Sequence, residues 1–457
     1  MADQVKESAQ NQAGFKKEIG LFSGVNILVG IIIGSGVFYL GSYILLNVQM
    51  SMGFALLAWA IGGVISLLGG LCFAELGAMN PKAGGMYVYM SEAYHPVVGF
   101  SNEWTSIFLS GAGSIAAIAT AFALAITRLT DLGNTNIKII AVVAIIVLTA
   151  VNLRGVKFGA LVQNVFTVAK VLPIVFIILW GLFAGKESPA ISFAAPAGMS
   201  FFAVMAMIGT GVVTSMWAYD GWTNLNAVAE EIKNPQKNLP LALIIGLSSI
   251  TLIYVLFNLA IYRILPFADI QSLISNGEVY LGIHSAQTLM GRAGFILIAL
   301  TMMISMFGSL NGCVMAFPRE YYAVSKDGHF IPAFGRLHPK YGTPYVAILC
   351  QCTISIILVL LLTLWDLTML VVFSSIMFKM ISLFSVLVYR KKQPNTPRPY
   401  KVPLTYVTVI VACLSMLALM GNVLQNYRLI SIVGLSVPLS GVLVFFLFFS
   451  KKRQVST

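Results

Sequence analysis

Residues 19–74 read IGLFSGVNILVGIIIGSGVFYLGSYILLNVQMSMGFALLAWAIGGVISLLGGLCFA, and no Asp, Glu, Lys or Arg interrupts them. A bilayer core about 30 Å thick needs roughly 20 apolar residues per helix. The run is long enough for two spans, with a turn around Gly41–Gly53. Further charge-free runs cover 104–127, 139–153, 238–262, 293–318, 341–365, 402–427 and 429–450. Three more apolar stretches carry one charge each: 158–185 with Lys170, 188–229 with Asp220 and 367–389 with Lys379. Together they predict an all-α membrane protein of twelve transmembrane helices.

Composition points the same way. The chain has 457 residues, 58% hydrophobic and only 10% charged, with a mean hydropathy of +0.89. A soluble domain carries about a quarter charged residues, so a soluble enzyme, a nucleic-acid binder and a disordered chain are all excluded. The net charge of +12 has a simpler source than a polyanion, because basic residues hold the cytoplasmic ends of spans. With alternate loops assigned to opposite sides, twenty of the 28 Lys and Arg fall on the side of both termini. Six fall on the other side, and Lys170 and Lys379 lie within spans. That asymmetry places both termini in the cytoplasm. The first 18 residues are polar, and no short apolar stretch before a small-residue cleavage site follows, so the first span is expected to stay in place. The five Cys lie in apolar runs without CxxC spacing and read as small core residues. No metal or cofactor is implied, and no nucleic-acid partner.

Two spans carry signs of interruption. The first has Gly30, Gly34, Ser35 and Gly36 at its middle. Small residues there serve close helix packing, or they mark an unwound point whose free amides hold an anion. The sixth has Asp220 followed by Gly221, with Trp217, Tyr219 and Trp222 around them. A midplane charge costs several kcal/mol unless paired or wet, and Asp-Gly is a turn signal. Interrupted spans five apart match transporters built from two inverted five-helix repeats, with substrate between the breaks. The expected layout is a tail over 1–18 and a transporter domain over 19–450. Within it lie repeat one at about 19–185, repeat two at about 200–390 and two added helices at about 402–450, before a short tail over 451–457. Lys170 lies too deep to reach either interface; it either props carbonyls of a broken neighbour or substitutes for an ion or proton. Lys379 is nearer the cytoplasmic Arg390 and is expected to snorkel partly or to face a cavity. The Tyr-rich stretch after the second span reads as a short interfacial helix.

Six blocks in order carry a resemblance: VGIIIGSGVF, FAELGAMNPKAGGMYVYMSEAY, VNLRGVKFGALVQNVFTVAK, WAYDGWTNLNAVAEEIKNPQKNLP, IYVLFNLAIY and FGSLNGCVMAFPREYYAVSKDGHFIPAFGRLHPKYGTP. The chain resembles the L-type amino acid transporters of the amino acid–polyamine–organocation superfamily over residues 15–450. That family holds bacterial serine/threonine and alanine–serine–cysteine exchangers and the light subunits of animal heteromeric transporters. The resemblance implies a sodium-independent exchanger of L-amino acids working by alternating access, not an enzyme. It implies that Ile33, Gly34, Ser35 and Gly36 hold the substrate carboxylate. Carbonyls of Trp217, Ala218, Tyr219 and Asp220 would accept from its ammonium, with Trp217 as the outer gate. Lys170 and Tyr254 would act in coupling, near the first break. The outer loop ITRLTDLGNTNIK (126–138) lacks the Cys that bridges animal members to a glycoprotein partner. No covalent heavy subunit is therefore expected, and the expected form is a monomer in a bacterial plasma membrane. Small neutral substrates are expected, whereas Asp220 leaves cationic ones open. A proton-coupled symporter with Lys170 cycling its proton is the alternative mechanism. A membrane-embedded enzyme lacks a paired His/Asp/Glu set, and a channel lacks a polar ring.

Overall fold

The computed structural model describes residues 19–81, 85–130, 133, 136–153, 160–227, 229, 232–341 and 343–450; the expected terminal tails lie outside them. The first span is split into α1 (Leu21–Ile32) and α2 (Gly36–Asn47), which meet at 50°. α3 (Met52–Met79) follows after a turn at Gln49 and Met50, both at positive φ. The turn falls within the expected Gly41–Gly53 interval, but not on its glycines. Both of those sit where the chain passes close to a neighbour, Gly41 against Asn258 and Gly53 against the Ser192 carbonyl.

The Tyr-rich stretch forms α4 (Gly85–Ala93). Tyr89 in it is fully buried and accepts from Asn226 Nδ2 at 3.1 Å, so this helix is tucked into the protein. α5 (Pro96–Thr105) continues through a π-helical turn at Ser106–Ser110 into α6 (Gly111–Thr130). α7 (Ile137–Leu153) and α8 (Ala160–Ala184) complete the first half. The second half begins with α9 (Phe201–Ala218), which stops abruptly and resumes as the single turn α10 (Asn224–Ala227). Then come α11 (Pro235–Ile264), the short α12 (Phe267–Ser275) and α13 (Leu281–Met290), and α14 (Arg292–Lys326). α15 (Tyr345–Leu361), α16 (Leu364–Lys392), α17 (Thr405–Asn426) and α18 (Arg428–Val444) end the order.

Among the described residues, nine helices are long and apolar enough to cross a membrane, and the bent α1–α2 pair makes ten. α7 and α15 are apolar but only 17 residues long, about 25 Å at 1.5 Å per residue; the count of twelve requires both of them to cross. The fold is all-α and multi-span. Large apolar side chains face outward along it, among them Leu172, Phe183, Leu252, Leu361, Leu414 and Leu443. Lipid tails solvate such a face, so it needs no polar cover.

Two packing relations position the interior. α1 lies against α11, and α9 lies against α3. The broken helix of each half therefore packs on the second helix of the other half. At the end nearer Ile19, buried Glu75 of α3 accepts from Arg390 Nε at 2.9 Å and Nη2 at 2.7 Å and from the Val402 amide at 2.8 Å. Arg398 Nε stands 3.6 Å away. This cluster ties α3 to the end of α16 and the segment that enters α17.

Candidate functional site

The first break is a short non-helical link. The Ile33 amide still donates to Val29, but its ψ of 85° leaves the helix. Gly34 N then donates to Ile32 O at 2.8 Å, and α2 restarts behind Ser35. Leaving the helix exposes backbone groups at both edges, because each helix end has unsatisfied N–H or C=O groups. The carbonyls on the α1 side are met by three different helices. Lys170 of α8 donates its ammonium to Gly30 O at 2.5 Å. The Tyr254 hydroxyl of α11 lies 3.2 Å from Ile32 O, and the Ser305 hydroxyl of α14 lies 3.3 Å from Ile33 O. The first amides of α2, at Gly36 and Val37, have no acceptor within their own helix by construction. A glycine is required at position 36: a Cβ there would stand 2.9 Å from both Cα and Cβ of Ala218.

The second break is where the Asp-Gly pair predicts a turn. Asp220 N reaches back to Trp217 O at 3.2 Å, and Gly221 takes φ of +111°. A Cβ on Gly221 would lie 2.6 Å from the side chain of Ile31, so both conformation and space demand glycine. The Tyr219 hydroxyl donates to Trp59 O at 2.8 Å and holds the end of α9 against α3. Asn226 fastens the chain beyond the break by donating to Phe73 O at 2.8 Å.

The two breaks adjoin. Gly36 abuts Ala218, Gly221 abuts Ile31, and the Tyr254 hydroxyl stands 2.9 Å from Ala218 O as well as 3.2 Å from Ile32 O. One hydroxyl proton thus serves the last carbonyls of both half-helices. The Tyr254 ring is fixed by Trp59 and Tyr219, at 5.2 and 5.1 Å between centroids. Beside Gly34 lies the Ser309 hydroxyl, 3.3 Å from where a Cβ would be; it is buried and has no hydrogen-bond partner among the described residues.

Access differs between the two ends. On the end away from Ile19, the Tyr39 and Thr368 hydroxyls pair at 3.2 Å, and Tyr43 packs on Trp365 at 4.8 Å. Ser42 donates to Val279 O at 2.8 Å and Tyr280 to Ala121 O at 2.8 Å. Asn47 donates to Thr214 at 2.9 Å. Trp217, Ala218, Tyr219 and Ser35 are all buried beneath this seal. On the other end the Asp220 side chain retains 25% exposure, and Ser309 and Cys313 are half-buried.

The structure therefore places Ile33, Gly34, Ser35, Gly36, Trp217, Ala218, Tyr219, Asp220, Lys170 and Tyr254 around one crossing. Of the two expectations for Lys379, snorkelling and facing inward, the side chain takes the inward one: it is 3% exposed and reaches Asp220 Oδ1 at 2.7 Å. A signal for this pairing was present, since Asp220 and Lys379 are opposite charges at mid-depth in two spans. Nothing in the sequence marks Ser305 or Ser309, because serines on a long apolar helix are common. Among the described residues no three His, Cys, Asp or Glu side chains gather as a metal site.

Comparison with known proteins gives a consistent set. The family model described as amino acid permease matches residues 19–450. The chain is 33% identical to the serine/threonine exchanger SteT of Bacillus subtilis over 451 residues, covering 97% of this chain and 99% of that one. It is 31% identical to the b(0,+)-type amino acid transporter 1 of Mus musculus, covering 95% and 88%. It is 30% identical to the large neutral amino acids transporter small subunit 2 of the same species, covering 94% and 80%.

Proposed function

The chain belongs to the amino acid permease family, and from that premise we propose that it exchanges small neutral L-amino acids without sodium, by alternating access. As a family member it is a multi-pass membrane transporter of amino acids and not an enzyme. Alanine, serine, threonine and cysteine are the proposed substrates.

The observation that carries this reading is the meeting of the two breaks, with Gly36 against Ala218 and Tyr254 between Ile32 O and Ala218 O. A zwitterion needs a donor group for its carboxylate and acceptors for its ammonium, a few Å apart. The start of α2 offers amides with partial positive charge, and the ends of α1 and α9 offer carbonyls. The unpartnered Ser309 hydroxyl adds a donor at the Gly34 edge. Trp217, buried one residue before the Ala218 end of α9, is the proposed outer gate. Lys170 supports sodium independence, because its ammonium already sits on a carbonyl of the broken helix. The contact pattern of α1 with α11 and α9 with α3 supports two inverted repeats, with α17 and α18 added. The Lys and Arg asymmetry supports cytoplasmic termini, which makes the sealed end the outer one.

Two experiments on the purified full chain test this. Calorimetry with L-serine and L-alanine, in sodium chloride and in choline chloride, is expected to give equal binding in both salts. Binding that disappears in choline would reject sodium independence. Proton symport is the second reading, resting on the same buried Lys170; it predicts uptake into empty vesicles driven by a pH gradient.

A further inference from the structure

We propose that Lys379 sets the charge preference of this site: by pairing with Asp220 it occupies the carboxylate beside the helix breaks and keeps cationic amino acids out. The inference rests on the reading of the two breaks as the amino acid site and adds a selectivity rule to it.

Lys379 lies deep in α16, with no charged residue between it and Asp366 on one side or Arg390 on the other. Its side chain is 3% exposed, and its ammonium is held from two directions. Asp220 Oδ1 lies 2.7 Å away, and the Trp222 ring centre lies 5.6 Å away. Asp220 is different. Its side chain is 25% exposed, and it stands two residues after Ala218, whose carbonyl ends α9 at the crossing. Its Oδ1 also accepts from the Gly221 amide at 2.6 Å, which fixes the carboxylate at the rim of the break.

A substrate held by its backbone at the crossing would extend a basic side chain toward a carboxylate at that rim. Were Asp220 free, a lysine or ornithine ammonium would find its counter-charge there. With Lys379 in place, two outcomes are open to a cationic substrate, and both are costly. Asp220 can abandon Lys379, which strands a buried ammonium at mid-membrane depth. Or one carboxylate can face two cations, which repel where dielectric screening is weak. A neutral substrate meets a pair that is already balanced. Selectivity here comes from the penalty imposed on the wrong ligand.

The test measures the ratio of L-lysine to L-serine affinity by calorimetry on the full chain, with L-ornithine as a second cationic probe. Lys379→Met is expected to raise the ratio at least tenfold. Lys379→Gln, which removes the charge but keeps a hydrogen-bond donor, is expected to do the same and serves if the Met form yields no protein. The double variant Lys379→Met with Asp220→Asn is expected to return the ratio to that of the unmodified chain. An unchanged ratio in the single variants overturns the proposal, as does a rise that persists in the double variant. Single variants that bind neither amino acid, beside an unmodified chain that binds serine, also overturn it, because the pair is then a structural requirement and not a filter. An unmodified chain that binds neither serine nor lysine contradicts the site reading itself.

Discussion

Removing the Lys170 amine leaves the Gly30 carbonyl without the donor that α8 supplies. An unpaired buried acceptor costs about 1–3 kcal/mol, and about 1.4 kcal/mol is a tenfold change in an equilibrium. If that cost falls unequally on the inward-open and outward-open forms, their ratio shifts by such a factor. Lys170→Ala is therefore expected to slow exchange in proteoliposomes about tenfold while lowering the melting temperature only slightly. Unchanged exchange would make Lys170 a tolerated residue, and a collapse of melting temperature with a matched loss of rate would make it a structural prop alone. The glycines of the first break divide differently. On Gly36 a new Cβ meets the backbone of Ala218, which cannot rotate away. On Gly34 its nearest neighbour is the Ser309 hydroxyl at 3.3 Å, which can. Gly36→Ala is expected to lower the melting temperature. Gly34→Ala is expected to fold normally and to weaken serine binding about tenfold, because a methyl would stand in the path to the break's amides. Equal serine affinity in Gly34→Ala would return that glycine to packing.

At the scale of the helices, the two breaks were legible because their signals are local. Gly34-Ser35-Gly36 and Asp220-Gly221 oppose a helix through backbone freedom and turn chemistry, and both stretches unwind where they stand. Lys170 was legible as a buried cation, since its depth follows from counting residues. What was not legible is pairing between distant elements. Tyr254 came from resemblance alone, and its place between two carbonyls depends on how α11 packs on α1. For Lys379, position along its own helix leaves snorkelling and an inward cavity both open; the opposite charge of Asp220 hints at a pair, and only packing selects it. Glu75 shows the same limit, for nothing near it in the chain announces Arg390, Arg398 and the Val402 amide. Breaking a buried ion pair from one side costs roughly 3–5 kcal/mol. Glu75→Gln keeps shape and removes the charge, and it is expected to lower the melting temperature sharply. Arg390→Lys, which loses only the two-pronged geometry, should cost less. Equal melting temperatures for Glu75→Gln and the unmodified chain would reduce this cluster to surface decoration.

For the whole molecule, the apolar belt, the sealed end away from Ile19 and the partly open Asp220 side describe a transporter whose path is less closed on the Ile19 side. Under the proposed alternating access, the Tyr39–Thr368, Ser42–Val279 and Asn47–Thr214 bonds would break together when the other end closes. Each is worth about 0.5–1.5 kcal/mol net, a total small enough for substrate binding to shift. An exchanger makes this switch only when loaded, whereas a symporter or a uniporter also returns empty. The most direct test is uptake of labelled L-serine by proteoliposomes holding the full chain, with sodium replaced by choline and no pH gradient. The account predicts strong uptake when the vesicles contain unlabelled serine and almost none when they are empty. Equal uptake by empty and loaded vesicles, or uptake that requires sodium, would contradict it.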